Sequence, residues 1–223
     1  MTQYDIQIVS DTVCPWCYVG RARLNLAIKQ HQQSHPSDTF TTSWSPFYLN
    51  PTAPTPGVDK QTHYEAKFGA QRTRMMQQHL SRLGGQLGIN FAFGGKTGNT
   101  RDSHRLIQLG KTKGLETQDK VVRALFESYF ERNEDITSRE VLEEAREWLE
   151  SGKGGEEVDR EVGDAQRRFV SGVPNFTING RFEIQGAEEP DAFLDAFERI
   201  RRDEERKGAN KGGKEVLGDA PAC

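Results

Sequence analysis

Asp11-Thr12-Val13-Cys14-Pro15-Trp16-Cys17-Tyr18-Val19-Gly20 is the stretch on which the fold turns. On its amino-terminal side, Tyr4, Ile6 and Ile8 alternate with Asp5 and Gln7, the period-two pattern of a strand over Tyr4 to Val9. Ser10 to Val13 then leads the chain off the strand end. On its carboxyl side Val19, Leu24, Leu26, Ala27 and Ile28 recur with helical spacing among Arg21, Arg23, Asn25 and Lys29. The spacing predicts a strand, a turn and a helix, with the cysteine pair where the helix begins.

That position carries chemistry. A thiolate, not a thiol, attacks a disulfide, and the free amides and dipole of a helix N-terminus favour the anion. Cys14 is so placed, and Cys17 follows one turn later, close enough to resolve a mixed disulfide formed at Cys14. Pro15 has no amide hydrogen to leave unsatisfied and its fixed φ suits a first helical turn. Trp16 offers an apolar surface to a substrate. Asp11, three residues ahead of Cys14, reads equally as a proton relay to the resolving cysteine or as a solvated strand-end residue.

A lone C-x-x-C is also half a zinc site, but zinc needs further ligands. The other sulfur in the chain is Cys223, at the very end, and His31, His35, His63, His79 and His104 supply no second paired spacing. No metal is expected, and Cys223 reads as a solvated free thiol. Three cysteines are also too few for a disulfide framework.

Bulk properties narrow the setting. The 223 residues exceed what one small domain requires and leave room for a second packed segment. Only 34% are hydrophobic and 28% are charged, so the core has to be built from separate amphipathic elements. The net charge of −3, with signs interspersed, gives no field for nucleic acid or an anionic membrane surface. Met1 to Ser10 lacks the basic and continuous apolar regions of a secretory signal, and no apolar run is long enough for a bilayer. A cytoplasmic chain is the expectation.

Further along, Phe40 to Leu49 reads as a second strand, with Pro46 marking an edge or irregular end. Pro51, Pro54, Pro56 and Gly57 form a boundary. Residues 59–169 then read as helical, with helices near 60–83, 100–113, 117–132, 138–150 and 156–169, and with Thr117 and Ser138 as N-caps. Val173 to Ile178 reads as a strand, Asn179-Gly180 as a hairpin turn and Arg181 to Ile184 as the return strand. Glu188 to Arg206 is an amphipathic helix with Phe193, Leu194, Phe197 and Ile200 on one face, and disorder is expected past Lys207.

Together these pieces resemble the DsbA-like thioredoxin-fold oxidoreductases, and more closely their FrnE subgroup, with the folds of 2-hydroxychromene-2-carboxylate isomerase and kappa-class glutathione transferase as relations. The resemblance covers about residues 4–203. It rests on the Asp11–Gly20 stretch, on Asn99-Thr100-Arg101-Asp102-Ser103-His104-Arg105-Leu106 and on Ser171-Gly172-Val173-Pro174-Asn175-Phe176. The family more often has Ala where Ser103 stands.

The resemblance implies an α/β, thioredoxin-like fold with a large all-helical insertion: 1–58 plus 170–207 as the thioredoxin-like part, 59–169 as the insertion, 208–223 as a flexible tail. It implies that Pro174 is a cis-proline facing the cysteines and that the backbone of Val173 pairs with an extended substrate or with glutathione. His104 and Arg105 fall at the head of a helix that covers the active-site face, with Thr100 as its cap. Asn99 and His104 either touch a thiol substrate or tie the insertion down.

The expected activity is thiol–disulfide exchange with protein or small-molecule thiols. It needs no metal or organic cofactor, and glutathione is the candidate co-substrate. In a cytoplasm poised by glutathione, reduction or isomerisation is easier to sustain than net oxidation. Two alternatives stand beside it. One is a glutathione-dependent isomerase or kappa-like glutathione transferase, although those proteins carry Ser where Cys14 stands. The other is a non-catalytic holdase, against which the low apolar content argues.

Overall fold

The computed structural model describes residues 1–138, 146–168 and 170–212. Strand β1 (Gln3–Ser10) is central, and its inward side chains Tyr4, Ile6 and Ile8 are buried. Helix α1 (Pro15–Ser34) crosses over to β2 (Thr39–Pro46), which pairs parallel to β1 from Gln3 opposite Thr39 to Ser10 opposite Pro46. On the other side of β1 lies β5 (Asn175–Ile178), antiparallel, followed by β6 (Phe182–Gln185). The four-stranded order is β2-β1-β5-β6. The crossover fixes where the cysteines go: they stand where the chain leaves the central strand for α1, at one end of the sheet.

Between β2 and β5 come β3 (Val58–Asp59), α2 (Lys60–Phe68), α3 (Ala70–Leu87), β4 (Lys96–Thr97), α4 (Arg101–Thr112), α5 (Leu115–Phe130), α6 (Arg146–Glu150) and α7 (Gly155–Arg167), and α8 (Pro190–Gly212) ends the described chain. This segment shares the core of the sheet. Tyr18 of α1 stacks on Phe126 of α5 at 5.1 Å between ring centres. The edge of β2 is closed by one side chain: the carboxamide of Gln118 accepts from the Trp44 amide (3.1 Å) and donates to the Trp44 carbonyl (2.9 Å). A side chain thus completes the edge pairing that a further strand would otherwise make.

Several expectations need correction. The helix expected over 60–83 is two helices, broken at Gly69, whose φ of 83° belongs to glycine. Helix α5 begins at Leu115 with Gly114, not Thr117, at its N-cap. The insertion is not purely helical, since β3 and β4 form a two-residue antiparallel ribbon. Pro174 precedes β5 rather than lying in it. Helix α8 runs past Lys207 to Gly212. Of the helix expected over 138–150 the structure shows Arg146–Glu150, Ser138 lies in a bend, and 139–145 lie outside the described residues, as do 213–223 with Cys223. The hairpin is as expected: Asn179 and Gly180 both have positive φ (50° and 65°), which matches the twist of the flanking strands.

Candidate active site

Cys14 is the N-cap of α1 and Pro15 occupies its first turn. The Cys14 amide donates to the Asp11 carbonyl and the Cys17 amide to the Cys14 carbonyl, both at 3.1 Å, which winds the pair into one tight turn. Both cysteines are free thiols and buried. The Cys14 Sγ donates to the Val173 carbonyl at 3.6 Å, and the Val173–Pro174 peptide bond is cis. Gly20 makes this proximity feasible: a Cβ there would lie 3.0 Å from both Pro174 Cγ and Phe176 Cζ. The glycine of the opening stretch is therefore the contact that lets α1 lie against the Val173–Pro174 loop.

The two sulfurs are not equivalent. Burial pushes the Cys17 thiol well above its ordinary value, and the hydrogen bond and charge of Cys14 push it the same way, opposed by the Ser10 side chain and the Asp11 backbone. Cys17 is the cysteine held as a protonated thiol behind its partner. Cys14 opens on a cavity of about 270 Å³, which Val13, Leu49, Tyr64, Phe68, Leu80 and Phe93 help to wall. Pro15 and Trp16 also face it, and Trp16, 38% exposed, rests its ring 5.8 Å from His79 of α3.

Behind this cavity stands a row of polar groups absent from the sequence reading. Tyr64 lines the cavity, and the hydroxyl of Tyr129 donates to Thr97 Oγ1 at 2.9 Å. Burial raises the pKa of both phenols. Lys60, 3% exposed, donates to the Tyr129 carbonyl (2.9 Å) and lies 3.6 Å from the centre of its ring. Burial pushes its ammonium down from 10.5 to about 8, with Asp135 opposing. The available signal was the spacing of Lys60, Tyr64 and Phe68, which places all three on one face of α2.

Asp11 is 1% exposed, so it is not a solvated strand end. Its Oδ2 accepts from the Leu49 amide at 2.8 Å, and its Oδ1 lies 3.4 Å from His104 Nε2 with no hydrogen bond among the described residues. His104 Nε2 also meets the Phe47 carbonyl at 3.2 Å, and Thr12 Oγ1 meets Ser103 Oγ at 2.8 Å. These contacts seat the head of α4 on the turn that carries the cysteines. Thr100 is the N-cap of α4 but makes no side-chain cap bond; Asn99 instead accepts from the Arg101 amide at 2.9 Å. The structure thus gathers Asp11, Cys14, Pro15 and Trp16 at the cavity, Val173 across from Cys14, Pro174 against Gly20, and Asn99 at the start of α4.

Among known proteins, the chain is 25% identical over 216 residues to YwbO of Bacillus subtilis (strain 168), an uncharacterised protein, covering 91% of this chain and 98% of that one. A probable DsbA oxidoreductase from Streptomyces coelicolor superposes with a TM-score of 0.78 at 24% identity, over 88% of this chain and 89% of that one. The cytosolic disulfide reductase DsbM from Pseudomonas aeruginosa, solved with GSH, superposes with a TM-score of 0.54 at 15% identity, over 89% and 99%. The DSBA-like thioredoxin domain model matches residues 5–198, and the chain belongs to that family.

Proposed function

We propose that this chain is a thiol–disulfide oxidoreductase that works through Cys14 and Cys17. The observation that carries the reading is the placement of Cys14 Sγ: at the cap of α1, on the wall of an apolar cavity, facing the Val173 carbonyl, with Cys17 buried behind it. The Cys14 thiolate attacks one sulfur of a substrate disulfide, forming a mixed disulfide and releasing the other sulfur as a thiolate. Cys17 then gives up its proton and attacks the Cys14 sulfur. The products are a Cys14–Cys17 disulfide and the second substrate thiol, so the dithiol has lost two electrons and the substrate disulfide has gained them.

Two molecules of glutathione return the pair to the dithiol by the reverse steps and leave as glutathione disulfide. Asp11, buried beside the turn and with one oxygen unbonded, takes the Cys17 proton through a pocket water. Val173 offers its backbone to an extended substrate, and Trp16 and Pro15 contact the substrate beside Cys14. Asn99 and His104 hold the insertion in place. A cytoplasmic setting and the reducing direction follow the cytosolic, GSH-bound neighbour, and no helix of the described residues is long and apolar enough to cross a membrane.

The test is a redox titration of the pair in glutathione buffers, followed by trapping on a Cys17→Ala variant. The reading expects Cys17→Ala to accumulate mixed disulfides with glutathione or protein thiols and Cys14→Ser to lose reductase activity. Glutathione-dependent isomerisation that survives Cys14→Ser would replace it with the isomerase or transferase alternative. Suppressed client aggregation by wild type and Cys14→Ser alike, with no disulfide reduction by either, would replace it with a holdase.

A further inference from the structure

At the end of α1 opposite Cys14, two histidines and a carboxylate converge. His31 lies on the last turn of α1 and His35, four residues on, is its C-cap; their rings stack with centres 4.5 Å apart. Glu198 faces them from α8. One nitrogen of each imidazole and one Glu198 oxygen all lie within 4.8 Å of one another. His31 is 17 residues past Cys14, about 25 Å along the helix axis, so this cluster is separate from the thiols.

Hydrogen bonding among the side chains leaves this geometry unexplained. His35 Nε2 stands 3.9 Å from Glu198 Oε1, too far for a hydrogen bond, and His35 Nδ1 is buried with no partner. The surrounding groups, by contrast, are fixed. Asp38, itself anchored by the Thr2 amide at 2.7 Å, meets His31 Nε2 at 3.0 Å. When that nitrogen donates its proton to Asp38, Nδ1 is left as the lone-pair donor, the arrangement in which a carboxylate orients a metal-binding imidazole. Arg201 approaches the other oxygen of Glu198, Oε2, at 3.4 Å, leaving Oε1 on the histidine side. The rings of Tyr4, Phe40 and Phe197 wall His31 at 5.4 to 5.6 Å.

We propose that His31, His35 and Glu198 form a binding site for a divalent transition-metal ion, zinc by preference, which clamps α1 to α8. Two imidazoles and one carboxylate are a borderline donor set suited to zinc. Donor atoms around one tetrahedral zinc lie roughly 3.3–3.5 Å apart. The contraction from 4.8 Å falls to Glu198 and His35, whose side chains are 34% and 24% exposed, while His31 is pinned. The same exposure leaves a fourth position open to water.

The test uses the full chain with Cys14, Cys17 and Cys223 changed to Ser, so that no thiolate competes for metal. Titration with Co²⁺ is expected to give one equivalent of tight binding with the visible absorption of low-coordinate cobalt, displaced by Zn²⁺, and zinc is expected to raise the thermal midpoint. His35→Gln and Glu198→Gln are expected to weaken binding at least tenfold each and to abolish the thermal shift. Asp38→Asn is expected to weaken it by about 10–100-fold. Because His35 and Glu198 are only partly buried, their variants test the site even if Asp38→Asn fails to fold. Binding no tighter than millimolar, binding unchanged in the His35→Gln, Glu198→Gln double variant, or a zinc-induced thermal shift that persists in it would overturn the proposal.

Discussion

Gly20→Ala is expected to destabilise this protein even though alanine is the better helix former. In an unobstructed helix interior the change gains about 0.8–1.0 kcal/mol. Here the new methyl would stand 3.0 Å from Pro174 Cγ and 3.0 Å from Phe176 Cζ, at least half an ångström inside ordinary carbon–carbon contact. Phe176 cannot retreat: it is fully buried and its ring is wedged edge-on against Phe193 at 5.0 Å. Overpacking of this kind costs roughly 1–3 kcal/mol, so the net loss is about 1 kcal/mol. Gly85 of α3 is the internal control, because it is exposed and a methyl there meets nothing within 4 Å. Gly85→Ala is therefore expected to gain roughly 0.5–1 kcal/mol. Urea unfolding at unchanged slope measures both. Since the displaced loop carries the Val173 carbonyl, Gly20→Ala is also expected to slow disulfide reduction. If Gly20→Ala stabilises the chain as much as Gly85→Ala does, the packing argument is wrong.

Three further outcomes follow from the same structure. Iodoacetamide at pH 7 is expected to modify Cys14 at least tenfold faster than Cys17, whose thiol burial holds protonated; time-resolved peptide mass mapping showing equal rates would contradict this. Arg105→Leu removes a buried guanidinium that donates to the carbonyls of Trp148, Leu149 and Lys153 and to Asp102. Its expected cost is about 3 kcal/mol in urea unfolding, since several buried acceptors lose their donor. Lys60 has a folded pKa near 8 against an ordinary 10.5. Below pH 8 it is charged in both states and its burial penalty is complete. From pH 8 towards 10.5 the folded state sheds the proton first, so wild type gains on Lys60→Met by an order of 2–3 kcal/mol. A stability difference between the two that stays flat over that range would refute the buried charge.

What the sequence made legible was local. The strand before Cys14, the helix after it and the Asn179-Gly180 turn each depend on period or on backbone preferences within a few residues, and each is in the structure. The site beyond the cysteine turn depends on what packs against it. Spacing puts Tyr64 and Phe68 on one face of α2, but nothing local says that this face, or Leu80, walls a cavity at Cys14, because α2 and α3 reach it only through tertiary packing. Gly69 was lost in a stretch whose helical composition runs on both sides of it. For Asp11 the relay and the solvated strand end read equally, because its burial comes from Leu49 and His104, 38 and 93 residues away in the chain. The spacing of four between His31 and His35 was not read as a pair, and its third group, Glu198, comes alongside only through the packing of α8.

The break at Gly69 also governs what the protein admits. His63, Tyr64 and Phe68 come from one side of it and Met76, Gln77 and Leu80 from the other, and all six face Cys14 across the same space. The bend is tied shut by Thr73, whose hydroxyl donates to the Tyr64 carbonyl at 3.1 Å, while the α-carbon of Gly69 has open room around it. Aperture is thus an angle held by two side-chain hydrogen bonds, the second from Gln77 Nε2 to Gln61 Oε1 at 2.6 Å, and by one backbone torsion. A residue with a β-carbon at 69 would favour straightening the two rods into one, and guests would then meet a trench in place of a lined cup.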